Sequence, residues 1–255
     1  MKNLFDIKGK VALVTGGSRG IGEMIATGFV EAGCKVYISA RKAQVCNDLA
    51  DELSKRGTCI SLPADLGTKE GIEFLSTELA KREEKLDILV NNAGAAWGEP
   101  IDEYSESGWD KVMNINLKGP FFVTQKMLPL LRKAATAENP ARVINIASIN
   151  GIVPPELETY AYSSSKAGCI MLTRHLAGRL ARENILVNAI APGPFPSQMM
   201  KATLDAFGDQ IKAGNPRGRI GTPEDIAGVA IFLSSRASAY TTGATIPCDG
   251  GAAEV

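Results

Sequence analysis

Tyr162 and Lys166 are four residues apart in the stretch YAYSSSK, residues 160–166. A helix turns about 100° per residue, so side chains four apart share a face. If the stretch is helical, the Tyr162 phenol lies beside the Lys166 ammonium. Tyr160 is six residues from Lys166 and points elsewhere. A phenol next to an ammonium is a proton donor in the making. A free phenol holds its proton to about pH 10, and a neighbouring cation stabilises the phenolate and makes that proton easier to move. Such a pair suits the reduction of a carbonyl, which needs a proton on oxygen and a hydride on carbon.

The hydride calls for a nucleotide cofactor, and VALVTGGSRGIGEMIA has the form of a site for one. It is a strand, a glycine-rich turn and a helix start. Gly16, Gly20 and Gly22 let the backbone turn tightly and approach a ligand, and the helix N-terminus offers N–H groups to a pyrophosphate. The spacing is T-G-x-x-x-G-x-G, not the common G-x-G-x-x-G. By itself it also fits a tight turn with nothing bound. The second strand ends in Ser39, Ala40 and Arg41. Sites for NAD usually carry an acid here for the ribose 2′-hydroxyl. With no carboxylate to repel a 2′-phosphate, and with Arg41 and Arg19 to embrace one, NADP(H) is favoured over NAD(H). The alternative is two solvated arginines.

The elements that must position these groups follow from periodicity. Short apolar runs at Val11–Thr15, Lys35–Ser39, Cys59–Pro63, Leu86–Asn91, Arg142–Ala147, Ile185–Ala191 and Thr245–Cys248 read as strands. Amphipathic stretches at 20–33, 43–56, 68–84, 107–134, 160–183 and 223–235 read as helices between them. The alternation predicts an α/β fold, a single Rossmann-type domain over 1–255 with a doubly wound parallel sheet of about seven strands and helices on both faces. The excursion at 194–216, with a short helix in SQMMKATLDAF, sits where such sheets place a binding loop.

The 255 residues carry 28 basic and 28 acidic side chains, a balance that gives no reason to expect nucleic acid or an anionic membrane as partner. No apolar run reaches the ~20 residues of a membrane span. The five cysteines are odd in number and scattered, which reads as reduced thiols in a cytoplasmic protein. With His175 the only histidine, a His-built zinc site is not expected. His175 lies thirteen residues beyond Tyr162, about 220° round the same helix, so it points away from the phenol.

The motifs together resemble the short-chain dehydrogenase/reductase family over nearly the whole chain. The matching pieces are residues 15–22, Asp65–Leu66, the NNAG run 91–94, Asn116, Ser148, Tyr162 to Lys166, Pro192–Gly193 with Ser197, and the DGG at 249–251. Within the family the likeness is greatest to bacterial 3-oxoacyl reductases. The resemblance implies a pyrophosphate turn of Gly16, Ser18, Gly20, Ile21 and Gly22. It implies that Arg41 and Arg19 hold the 2′-phosphate, that Asp65 and Leu66 flank the adenine, and that Asn92, Ala93 and Gly94 line the cofactor cleft. Pro192, Gly193 and Ser197 would reach the nicotinamide carboxamide. Asn116, Ser148, Tyr162 and Lys166 would be the catalytic group: Lys166 also on the nicotinamide ribose, Ser148 donating to the substrate oxygen, Asn116 holding a water that returns protons to Lys166.

The step from Ser148 to Tyr162 is one residue longer than in close bacterial relatives, so Ser163 to Ser165 stay open as substitutes for Ser148, or else as helix-start residues. Tyr160 is expected in the cleft wall or in packing. Phe195, Met199, Met200, Leu204 and Phe207, with Trp97, Ile152 and Val153, are expected either to wall an apolar acyl pocket or only to pack the excursion onto the body. Where carrier-protein reductases carry an arginine on the catalytic helix, this chain has Gly178, which weighs against acyl carrier protein and leaves Arg132 and Lys133 as contacts. A 3-oxoacyl thioester or ester is the expected substrate. Oxidation of a sugar alcohol, steroid or other secondary alcohol is the alternative, and a regulator without catalysis a third. The resemblance also implies a homotetramer built by pairing the helices at 107–134 and 160–183, with DGGAAEV at another interface.

Overall fold

The computed structural model describes residues 3–253. Seven strands form one parallel sheet: β1 Val11–Thr15, β2 Lys35–Ser39, β3 Thr58–Ser61, β4 Ile88–Asn91, β5 Ala141–Ile146, β6 Ile185–Pro192 and β7 Thr245–Cys248. Their order is β3-β2-β1-β4-β5-β6-β7. Chain order reverses between β1 and β4, which opens a crevice at the carboxyl ends of those strands. Thr15–Gly16 and Asn91–Asn92 leave the sheet there.

Helices α1 Gly20–Glu31, α2 Ala43–Leu53, α3 Lys69–Ala80, α4 Glu106–Met113, α5 Gly119–Ala134, α6 Tyr160–Leu180, α7 Lys201–Ala213 and α8 Pro223–Ser234 connect and cover the strands. Side chains alternate across a strand, so one run feeds two cores. Ala12, Val14, Val36 and Ile38 pack with α1, α2 and α8 through Ile25, Phe29, Leu53, Ile226 and Leu233. Leu13, Tyr37, Leu89 and Val143 pack on the other face with α3, α5 and α6 through Leu75, Val123, Leu131 and Leu180. Truncating one of these, Leu75→Ala for example, costs about 2–5 kcal/mol.

The strands begin and end within two residues of expectation. Helices α2, α3 and α6 end three or four residues short of expectation, at Leu53, Ala80 and Leu180, and two other helical stretches differ in kind. The stretch 107–134 is broken by a π-helical turn, Asn114–Lys118, between α4 and α5. Pro120 gives the physical reason, since it has no N–H for the Asn116 carbonyl four residues back. The helix expected from Ser197 begins at Lys201 and runs on to Ala213. Ser197 turns the chain first, its Oγ accepting the Met200 N–H at 3.3 Å.

Candidate active site

The glycine turn after β1 is bolted to the turn after β4. Thr15 Oγ1 accepts the N–H groups of Asn92 (2.9 Å) and Ala93 (3.1 Å) and donates to the Val90 carbonyl. Asn92 Nδ2 donates back to the carbonyls of Thr15 (2.9 Å) and Gly16 (3.1 Å). A Cβ on Gly22 would lie 2.3 Å from the Gly16 carbonyl oxygen and 2.4 Å from Asn92 Nδ2, so only glycine fits. Gly16 and Gly20 have φ of +63° and +57°, which glycine adopts without strain. Gly20 faces Ser197, whose Cβ lies 3.0 Å from where a Gly20 Cβ would be. The turn after β1 and the start of the excursion after β6 therefore meet.

This cradle fits a dinucleotide phosphate. It opens on the N-terminus of α1, with Ser18 buried beneath it and Arg19 exposed. Arg41 is exposed at the end of β2, and neither arginine has a carboxylate partner among the described residues. Asp65 is exposed, and its Oδ1 accepts the Gly67 N–H at 3.0 Å. The side chains of Leu66, Ile21 and Ala93 pack toward the two cores, so what these three offer a cofactor is mostly backbone.

The second half of the site stands on β5 and α6. The helix begins at Tyr160, and Tyr162 and Lys166 share its inward side. The Lys166 side chain is buried. Its Nζ lies 5.6 Å from the centre of the Tyr162 ring and donates to the Ile146 carbonyl, at the end of β5, at 2.7 Å. A Cβ on Gly94 would sit 3.9 Å from that ammonium and 3.2 Å from Asn116 Oδ1, so the turn after β4 runs directly over the lysine.

Ser148 follows β5, buried, its Oγ accepting the Asn150 N–H at 3.1 Å. The turn it starts lies on the backbone of α6. A Cβ on Gly151 would be 2.6 Å from the Lys166 carbonyl carbon and 2.8 Å from the Ala167 nitrogen. The turn that starts at Ser148 thus packs on α6 at Lys166, the residue that faces Tyr162. Ser163 and Ser165 are spent inside the helix, donating to the carbonyls of Tyr160 (3.2 Å) and Tyr162 (2.7 Å), and Ser164 is exposed. Of the serines left open by spacing, Ser148 is the one not tied into α6.

Asn116 is buried at the π-helical turn. Its Oδ1 accepts the Ala95 N–H (2.8 Å), and its Nδ2 donates to the Ala95 carbonyl (2.9 Å) and Ser165 Oγ (3.0 Å). The side chain thus does for the loop at 92–98 what a neighbouring strand would have done. Tyr160 points to the rim. It packs edge-on against Tyr104, centroids 5.6 Å apart, and donates to Glu158 Oε1 at 3.1 Å. Partial burial and the Glu158 carboxylate hold its phenol above the usual range, the reverse of what a proton donor needs. His175 is exposed on the far part of α6.

The apolar residues expected to wall a pocket divide. Phe195 is core, 1% exposed, among Ile190, Ile226 and Leu233. For that residue the packing alternative holds. Met199, Phe207 and Ile152 are exposed, and Trp97, Val153, Met200 and Leu204 half-buried. A groove of about 640 Å3 between α3 and α5 shares no residue with this site.

A buried polar chain went unread in the sequence. Asn91 Nδ2 donates to Asn145 Oδ1 (2.9 Å) and Thr124 Oγ1 (3.0 Å), and Asn145 Nδ2 to Thr173 Oγ1 (2.9 Å). It pins β4 and β5 to α5 and α6 directly beneath the site. The available signal was two asparagines, Asn91 and Asn145, within the last two residues of fully buried strands.

The profile of the family described as enoyl-(acyl carrier protein) reductase matches residues 16–253. The chain is a short-chain dehydrogenase/reductase. It is 49% identical over 253 residues to the rhamnolipids biosynthesis 3-oxoacyl-[acyl-carrier-protein] reductase of Pseudomonas aeruginosa, covering 98% of this chain and 99% of that one. It is 38% identical to the 2-dehydro-3-deoxy-D-gluconate 5-dehydrogenase of Dickeya dadantii, covering 98% and 97%. Among solved structures it superposes on the Pseudomonas aeruginosa RhlG/NADP active-site complex with a TM-score of 0.96 at 49% identity, covering 99% and 100%. This short-chain dehydrogenase/reductase is therefore an oxidoreductase by family, and the site described above lies within the matched region.

Proposed function

We infer that this enzyme reduces a 3-oxoacyl ester or thioester to the 3-hydroxy product with NADPH. The observation that supports the reading is the buried Lys166 ammonium, facing the Tyr162 ring beneath the turn at Gly94, with the turn begun by Ser148 packed on the same helix. The 49% identity to a 3-oxoacyl reductase and the likeness to an NADP complex support the substrate class and cofactor.

When bound, NADPH supplies the hydride. Gly16, Ser18, Gly20, Ile21 and Gly22 would take its pyrophosphate, Arg19 and Arg41 its 2′-phosphate, and Asp65 and Leu66 the adenine. Asn92, Ala93 and Gly94 line the cleft, and Pro192, Gly193 and Ser197 the nicotinamide end. Ser148 Oγ hydrogen-bonds the ketone oxygen and stabilises negative charge as it develops. Tyr162 gives that oxygen its proton. Lys166 stabilises the phenolate left behind, and Asn116, at the π-helical turn, guides the water that restores the proton. The exposed Met199 and Phe207 of the excursion make it a lid for an acyl chain.

Arg132 is paired with Glu183 at 2.6 Å and Gly178 offers no cation. A free ester or coenzyme A thioester therefore suits the surface better than an acyl carrier protein. The exposed Trp109, Phe121, Phe122 and Met171 on α4 to α6 fit a helix-pairing interface, and the half-buried edge strand β7 with residues 249–253 a second, together giving a homotetramer. The last two residues of DGGAAEV, Glu254 and Val255, lie outside the described residues. Free thiols at all five cysteines fit the cytoplasm. Among the described residues no helix is long and apolar enough to cross a membrane.

Initial rates with NADPH against 3-oxoacyl esters of graded length, free, on coenzyme A and on carrier protein, test the reading. Keto-sugar acids belong in the same panel because sugar-acid dehydrogenases are also relatives. Tyr162→Phe should bind NADPH normally and lose about a hundredfold to ten-thousandfold in turnover. Full turnover in that variant would end the assignment of the proton donor.

A further inference from the structure

Between β6 and α8 the chain leaves the body at Pro194 and rejoins it at Thr222. The helix within this excursion, α7, has no fully buried side chain, and Leu204 on it is half-buried. The neck is closed by Phe195, whose ring would lie 2.3 Å from a Cβ on Gly221, and by the Gly221 N–H donating to the Pro194 carbonyl at 2.9 Å. Arg219 then grips both oxygens of Asp225 at the start of α8. These contacts fix the neck, and α7 beyond it has no fully buried side chain to anchor it.

One more polar hook exists, at the far end of α7. Asn215 is 6% exposed. Its Nδ2 donates to the Asp249 carbonyl at 2.7 Å, across 34 residues of sequence. Its Oδ1 accepts the Arg217 N–H at 2.9 Å. Gly250 must be glycine for this contact, with φ of +71° and a hypothetical Cβ 2.4 Å from Asn215 Oδ1. The same short turn touches the nicotinamide end of the site. A Cβ on Gly193 would be 2.7 Å from the Asp249 Cβ, and the Gly193 N–H donates to the Cys248 carbonyl at 3.1 Å. The Asp249 carboxylate stiffens the turn by accepting the N–H groups of Gly251 (3.0 Å) and Ala253 (2.8 Å). An amide taken out of water must have its hydrogen bonds met. The Oδ1 bond is local, but Nδ2 finds its acceptor only when the exit of α7 lies against this turn.

We propose that Asn215 is a positioning residue that latches the exit of the α7 lid to the Asp249–Gly250 turn, and so sets how firmly the lid closes over cofactor and ketone. The proposal rests on the reading of Pro192, Gly193 and Ser197 as the nicotinamide end and of α7 as the substrate lid. Without the latch, Ser148, Tyr162 and Lys166 keep their places on β5 and α6. Chemistry in the closed complex persists and binding suffers.

The test uses the full-length enzyme. Asn215→Ala removes both hydrogen bonds. Asn215→Asp keeps the acceptor for Arg217 but turns a carboxylate toward the Asp249 carbonyl. Both variants should raise the KM for the ketone and the dissociation constant for NADPH by about tenfold, the worth of one buried hydrogen bond, with kcat within about threefold of wild type. NADPH should protect Lys201 and Lys212 from trypsin in the wild type and not in the variants. Gln210→Ala, at an exposed position of α7, should change neither reading. Wild-type behaviour of Asn215→Asp, KM and NADPH affinity both within about twofold in the two variants, a fall in kcat at constant KM, or unfolding of both proteins would each overturn the latch. Tyr162→Phe separates the two readings. If it turned over fully, the proton-donor assignment would fall, while the effect of Asn215 on NADPH affinity would still stand or fall by its own measurement.

Discussion

The Lys166 ammonium is anchored before any substrate arrives. It donates to the Ile146 carbonyl at 2.7 Å while lying 5.6 Å from the centre of the Tyr162 ring. The end of β5 thus fixes a charge on α6, and the phenol inherits a position relative to the sheet. Lys166→Met keeps much of the length and removes the charge. It should lower kcat/KM by at least about a hundredfold and weaken NADPH binding as well, because Lys166 is also read as a ribose contact. Stopped-flow turnover and NADPH fluorescence titration would check both halves. A variant with weakened binding and normal kcat would show that the lysine only positions cofactor.

Asn116 carries a different kind of burden. Its amide satisfies both backbone groups of Ala95 and the hydroxyl of Ser165. Asn116→Ala strands these buried groups, at a cost of about 1–3 kcal/mol each for those that water does not reach. Urea unfolding and turnover should therefore fall together. Asn116→Asp keeps the acceptor for the Ala95 N–H and loses the donors, so it should lie between. Lost turnover with unchanged stability would mean that the residue serves the chemistry alone.

The difference between what could and could not be read from the sequence has a physical basis. Strands buried on both faces announce themselves as apolar runs, and glycines that must accept φ near +60° or a backbone at van der Waals contact have no substitute. The sheet, Gly16 to Gly22 and the Tyr162–Lys166 spacing were legible for that reason. The π-helical turn at Asn114–Lys118 was not, because one inserted residue leaves the apolar pattern of 107–134 nearly intact; only Pro120 marks it. Phe195 reads as a pocket residue because it stands among exposed Met and Phe, and becomes core only when Gly221 folds back over it. The Asn91–Asn145–Thr173 chain and the Asn215 latch join residues far apart in sequence, which local spacing does not encode.

Cofactor preference should follow Arg41. The residue is exposed and has no carboxylate partner among the described residues, so its charge is available to a 2′-phosphate. Arg41→Ala should raise the KM for NADPH about tenfold or more while leaving the KM for NADH nearly unchanged. Arg41→Asp should go further, repelling the phosphate and offering an acceptor to the 2′-hydroxyl. Steady-state kinetics with both coenzymes give the ratio directly. An unaltered ratio in Arg41→Ala would move the role to Arg19, and in the double variant would remove it from both.

Far from the site, the amino end of the sheet carries a pH dependence that has nothing to do with turnover. Lys10 is buried, donating to Asn139 Oδ1 (3.0 Å) and the Ser234 carbonyl (2.9 Å) at the end of α8. Arg142 beside it is also buried and donates to the carbonyls of Leu233 and Ser235. Burial, and then the Arg142 charge, lower the Lys10 pKa to about 8, with Asp87 and Cys34 pulling the other way and Lys85 adding to the fall. The unfolded chain keeps its lysine proton to about pH 10.4. Between these values the unfolded state binds more protons, so this group adds stability as pH rises through the window and costs most below it. The full swing is about 3 kcal/mol at most. Cys34 and Cys59, pushed up to about 12 by burial, act with the opposite sign above pH 9, where the native state holds the extra protons. Comparing wild type with Lys10→Met cancels the Cys59 contribution, and that of Cys34 apart from its coupling to Lys10. Urea unfolding at pH 7.5 and at pH 10 should show the difference between the two proteins moving toward the wild type by roughly 1–3 kcal/mol. A difference that stays flat across that range would mean that Lys10 keeps an ordinary ammonium in the native state.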